Sequence, residues 1–86
     1  MSTTIARSRT KRKFQVVHNG TVCEMGLVIP SVAMKRAHHI VRDFLMAEWL
    51  RTCKNLETTA LIMADGLQVG SVYGFHKNKA IRIIHH

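Results

Sequence analysis

The sequence predicts an α+β domain: a small antiparallel β-sheet in ββαβββ order with one helix packed on one face. Three observations point there. The dipeptides Asn19-Gly20 and Asp65-Gly66 sit between apolar segments, and both accept the positive φ that a two-residue hairpin turn needs. One stretch alone, "IPSVAMKRAHHIVRDFLMAEWLRTC", reads as a long helix. A short apolar run, "AIRIIHH", follows a polar turn at Lys77-Asn78 and ends the chain as a further strand.

Taken in order, residues 1–12 have no apolar periodicity and are expected to be a flexible basic arm; residues 13–86 form the single α+β domain. In "FQVVHNGTVCEM" a two-residue loop pairs His18 with Thr21, Val16 with Cys23 and Phe14 with Met25. That register predicts a core face of Phe14, Val16, Cys23 and Met25, with Gln15, Val17, Val22 and Glu24 on the other side. Pro30, the sole proline, suits the helix entrance, and Ser31 is placed to cap it. Ala33, Ala37, Ile40, Phe44 and Ala47 fall on one helical stripe, flanked by Val41. Lys35, Arg36, His39, Arg42 and Asp43 fall opposite, together with Met46 and Leu50. Trp49 lies near Arg42 and Leu45 on the wheel, either at the rim of the core or as an interface anchor.

The second hairpin, "TTALIMADGLQVGSVYGF", pairs Ile62 with Val69 and Leu61 with Gly70 if its register runs evenly from the turn. Tyr73 and Phe75 then share the core face with Ile62, Leu67 and Val69. Gly70, Val72 and Gly74 lie on a flat outer face beside Leu61 and Met63. The opposite assignment would present two aromatics at alternate strand positions, the pattern that lets sheet-face proteins stack nucleic-acid bases.

The formal net charge is +8, from 13 Lys+Arg against 5 Asp+Glu. Removing residues 1–13 takes away Arg7, Arg9, Lys11, Arg12 and Lys13 and leaves +3, so the positive field is concentrated at one end. Such asymmetry marks basic arms that contact phosphates or acidic protein surfaces. Cys23 and Cys53 do not make a disulfide framework, and no CxxC pair suggests zinc; buried thiols in a reducing compartment are expected. No apolar run has the length of a signal peptide or a membrane span. The expected location is therefore cytoplasmic or nucleoid-associated, not secreted.

Catalysis is not expected. The acids Glu24, Asp43, Glu48, Glu57 and Asp65 are dispersed, and no phosphate loop or nucleophile elbow occurs. The histidines stand as His18, His38-His39, His76 and His85-His86, with no i, i+4 pair to aim two imidazoles at one metal, and are expected to be exposed. No metal, cofactor or small-molecule substrate is expected.

The composition thus leads to a small non-enzymatic nucleic-acid-binding protein. Phosphate contacts are expected from Arg7, Arg9, Lys11, Arg12 and Lys13 in the arm, and from Lys35, Arg36, Arg42, Lys77, Lys79 and Arg82 on the domain. The partner is DNA or RNA, or an acidic protein surface, without a membrane. A homodimer is expected through Met46, Trp49 and Leu50 on the helix or Leu61, Met63 and Val72 on the sheet. The alternative is a small protein-interaction module, such as a phage-type inhibitor or regulator that docks on a host enzyme or nucleoprotein.

Overall fold

Three turns of one kind organise the sheet. Each is a two-residue loop with both residues at positive φ: Asn19 and Gly20 at 53° and 77°, Asp65 and Gly66 at 54° and 77°, Asn78 and Lys79 at 51° and 67°. This backbone matches the right-handed twist of the flanking strands. The third turn falls one residue later than Lys77-Asn78. The computed structural model describes residues 13–86, and the arm residues Arg7, Arg9, Lys11 and Arg12 lie outside them.

The elements are β1 (Phe14–His18), β2 (Thr21–Leu27), α1 (Pro30–Thr52), β3 (Leu56–Ala64), β4 (Leu67–Lys77) and β5 (Ala80–His85). The strands form one sheet in the order β2-β1-β3-β4-β5, with every neighbouring pair antiparallel. The helix crosses one face of this sheet, and the other face has no layer over it among the described residues. The predicted α+β class and ββαβββ order are therefore observed.

Both hairpins depart from an even register, and the consequences are large. In β2 the pairs run His18–Thr21 and Val17–Val22, then slip to Val16–Glu24 and Phe14–Leu27. Cys23 and Met25 leave the predicted core and are exposed. Gly26, at φ 75°, lies in the second slip. In the second hairpin Ala64 pairs with Leu67 and Met63 with Gln68, but Ile62 then pairs with Gly70. Val69 is the extra residue of a β-bulge. Beyond it each β4 side chain lies on the face opposite to the one predicted. Val72 is wholly buried and Gly74 faces the helix, whereas Tyr73 and Phe75 face away from it.

Pro30 is at the first helical position, as predicted. Ser31 does not cap: no side chain does, and the Ile29 carbonyl accepts from the N–H groups of Val32 and Ala33 at 3.0 and 3.1 Å. At the other end Cys53 adopts the left-handed conformation at φ 55°, and its N–H donates to the Trp49 carbonyl at 2.8 Å. The buried stripe is Ala33, Ala37, Val41 and Leu45. Ile40 and Phe44 are only half-buried flanks, and Ala47 is exposed. These four sit against Val16, Ala60, Ile62, Ala64 and Val72 from the sheet. Full burial of a side chain the size of Leu45 or Val41 contributes about 1.5–3 kcal/mol. The sheet keeps small residues beneath the helix, so that the two layers approach closely. A Cβ on Gly74 would stand 2.5 Å from Val41 Cγ1 and 3.0 Å from Leu45 Cδ1.

Candidate functional site

The open sheet face is where the chemistry collects. Its rows follow from strand register. Thr59, Tyr73 and Ile84 stand side by side on β3, β4 and β5, and Glu57, Phe75 and Arg82 form the next row. Towards β2 the face continues through Leu61 and Val17 to Val22, and through Met63 to Gln15. One corner is thus aromatic and charged, and the rest is largely aliphatic.

At the aromatic corner the Tyr73 and Phe75 rings are 5.9 Å apart between centroids and tilted by 41°. Both are half-buried by their neighbours, with ring surface left accessible. They line a shallow depression of about 300 Å³ with Asn55, Leu56, Glu57 and Lys77. Lys77 and Lys79 stand exposed at the adjoining β4–β5 turn, and Arg82 is exposed across from Phe75. Neighbouring groups that exclude water push the Tyr73 phenol above its ordinary pKa; the Glu57 carboxylate, which also hydrogen-bonds it, adds to the effect. Tyr73 therefore remains a neutral hydroxyl. The corner has a polarity, with a carboxylate on its β3 flank and cations on its β5 flank.

The basic residues expected to act together are separated by the fold. Lys77, Lys79 and Arg82 border the open face, and Lys13 lines a second depression of about 440 Å³ near Gln15, Met25 and Met63. Lys35, Arg36 and Arg42 lie on the helix, the opposite layer. There Arg42 donates to Asp43 at 3.4 Å and to His39 Nδ1 at 3.3 Å. Arg51 donates to Glu48 at 2.6 Å.

The residues expected at an interface also divide. Met46 and Leu50 are 48 % and 79 % exposed on the outer side of the helix. Leu61 and Met63 lie half-buried on the open face, as predicted. Val72 does not: it is 0 % exposed beneath the helix and cannot meet a partner. Trp49 is half-buried and stacks on His76, with centroids 4.3 Å apart and planes 11° from parallel, so it closes the rim of the core.

The cysteines and histidines correct two further expectations. Both thiols are exposed rather than buried. His18 and His76 are buried rather than exposed. His18 Nε2 and Thr58 Oγ1 share a hydrogen bond of 2.7 Å, and the ring meets Phe44 edge-on at 4.8 Å. Burial pushes the pKa of His18 down. His38 Nδ1 and His85 Nε2 approach to 2.8 Å, a pairing between helix and last strand that local spacing could not reveal. Partial burial lowers the pKa of His38, as do the nearby charges of His85, His39 and Arg42. Among the described residues no three His, Cys, Asp or Glu side chains converge as a metal site. No helix of the described residues is long and apolar enough to cross a membrane.

Tyr73 and Phe75 are what an even register misses. The usable signal was the alternation itself: glycines at 70 and 74 suit the crowded helix side, leaving the aromatics for the other. No family model matches the chain, and neither a curated protein nor a solved structure matches it.

Proposed function

We propose that this protein binds single-stranded nucleic acid on the open sheet face, without catalysis. The observation that carries this reading is the placement of Tyr73 and Phe75 on the face away from the helix, with Arg82 across from Phe75. Accessible aromatic rings at alternate positions of one strand offer stacking surfaces to unpaired bases, and every base has a π-face. The polarity of the corner sets the path of the strand. Phosphates run along the β5 flank, near Arg82, Lys77 and Lys79, because Glu57 repels them from the β3 flank. The basic residues of the arm add contacts that carry no sequence information. Stacking with few hydrogen-bond readers gives weak sequence selectivity.

Fluorescence anisotropy with labelled single-stranded and duplex oligonucleotides tests this. Single strands are expected to bind more tightly than duplex at equal salt. Phe75→Ala and Tyr73→Ala are each expected to cost about 1–3 kcal/mol, roughly 5- to 150-fold in Kd. Affinity unchanged in both variants would overturn the site.

The second reading, a protein-docking module, is favoured by the aliphatic part of the same face, where Val17, Val22, Leu61 and Met63 adjoin without a charge among them. A chain that binds no oligonucleotide even at low salt moves this reading ahead.

A further inference from the structure

The two edges of the sheet are built differently. β2 slips register twice against β1, holds Gly26 at φ 75° and carries Glu24, the features that keep an edge strand from pairing with another chain. β5 has no register slip and no residue at positive φ. It pairs with β4 in unbroken register from Lys77–Ala80 to Val72–His85. The ladder runs on into His86, whose N–H donates to the Ser71 carbonyl at 2.8 Å while its own carbonyl accepts from Ser71 at 3.0 Å. Its only charged side chain apart from histidine is Arg82, and it contains no proline.

The register also fixes which backbone groups face outward. The reciprocal bonds of His86 with Ser71 make it a hydrogen-bonded pair, and such pairs recur at every second residue. Ala80, Arg82, Ile84 and His86 therefore direct their N–H and C=O groups towards β4. Ile81, Ile83 and His85 direct theirs away from the sheet, along the outer edge.

We infer that β5 is a pairing edge for a second copy of this chain, antiparallel about a two-fold axis at Ile83, which joins two sheets into one of ten strands. The chemistry is self-complementary in this register. Ile83 meets the partner's Ile83, Ile81 meets the partner's His85, and Arg82 meets the partner's Ile84. No like charges stand directly opposite, an arrangement that would be destabilising. On the open face Ile84, which is 44 % exposed, gains an aliphatic contact with the stem of the partner's Arg82. A row then runs from Tyr73 through Ile84 and the partner's Arg82 to the partner's Phe75, about 14 Å at three strand spacings. This inference rests on the two edges and stands whether or not the face binds nucleic acid.

Light scattering at micromolar concentration is expected to give twice the 9.8 kDa mass of one chain. Ile83→Pro removes an outward N–H and no bond to β4; it also loses part of the packing of Ile83 against the core, so it should yield a monomer that keeps its circular dichroism and melts cooperatively at a lower temperature. A second measurement does not depend on that variant folding. In a Cys23→Ser, Cys53→Ser background, chains with Arg82→Cys and chains with Ile84→Cys are oxidised separately and mixed. Positions 82 and 84 face each other across the axis as a non-hydrogen-bonded pair with closely spaced Cα atoms. A disulfide-linked dimer is therefore expected in the mixture and in neither chain alone. A wild-type mass of one chain, or no excess of cross-linking in the mixture over the separate chains, would overturn the inference.

Discussion

Gly74 and Gly20 lack side chains for opposite reasons, and alanine at each tests a different force. Gly74 has ordinary strand geometry, but a methyl there meets Val41 Cγ1 at 2.5 Å. Gly20 has nothing within 4 Å of such a methyl, but its φ is 77°. Gly74→Ala is expected to destabilise by about 1–3 kcal/mol through overpacking. Gly20→Ala is expected to cost on the order of 1 kcal/mol through backbone strain. Denaturant melts separate the mechanisms when Val41→Ala is added. Removing the two γ-methyl groups should recover part of the loss at Gly74 and none at Gly20. Equal behaviour of the two double variants would mean that the helix does not press on β4 as described.

His18 works at the same scale, by joining β1 to β3 through Thr58 beneath Phe44. Burial lowers its proton affinity below that of the unfolded chain, so unfolding in acid takes up a proton. The stability this contributes is present above the unfolded pKa of about 6.5 and is lost as pH falls through the lower folded value. His38 shifts in the same direction and adds to the slope. Urea midpoints are expected to fall as the pH is taken below about 6.5, and His18→Gln should flatten that fall. A wild-type midpoint independent of pH would contradict the buried, neutral state of His18.

The bulge at Val69 decides the face of every β4 side chain that follows it. Val69 has no partner on β3, whereas Ser71 pairs with Leu61 and bonds to His86. Deleting Val69 closes the ladder into an even register that keeps Gly70 opposite Ile62, so a cooperative thermal melt should survive. Inserting one alanine after Ser71 leaves the strand no surplus residue to shed, so it turns Tyr73 and Phe75 into the helix layer and Val72 out of it, and the melt should be lost. A deletion and an insertion of equal effect would mean that the strand has no bulge.

Order and turns were legible in the sequence because they are local. Asn-Gly and Asp-Gly specify positive φ by themselves, and a single segment has helical length. A bulge is set by packing between strands distant in sequence, so hydrophobic alternation around Val69 reads equally well in two registers. The helix misleads for a related reason. Its C-terminal half is apolar nearly all round, so the Ala33–Leu45 stripe and the Ala33–Ala47 stripe look alike. The choice falls to the shape of the sheet, where Gly74 leaves room for Val41 and Leu45. The bulge alone misplaces Tyr73, Phe75 and His76, whereas His18 alternates with Phe14 and Val16 on the face read as core, so its burial was legible in β1.

Across the whole molecule, charge is distributed unevenly over three regions. On the helix Asp43 and Glu48 stand against Arg42 and Arg51, which lowers the positive field of that layer. At the open corner Lys77, Lys79 and Arg82 stand near one acid, Glu57. Residues 1–12 carry Arg7, Arg9, Lys11 and Arg12 with no acid at all, half of the formal +8. If nucleic acid is the partner, the arm should therefore supply most of the salt dependence and the corner most of the preference for single strands. Each phosphate contact on a single strand contributes roughly 0.7 to the slope of log K against log salt. Deleting residues 1–12 removes four such charges and should lower the slope by up to about 3, while Arg82→Ala should lower it by about 0.7. The shortened chain should melt as the full one does, because the core is assembled from Phe14 onwards. It should also keep its preference for single strand over duplex, since Tyr73 and Phe75 remain. A salt slope unchanged by the deletion would return the arm to a role in solubility or addressing, and a lost strand preference would place the discriminating contacts in the arm instead of the sheet.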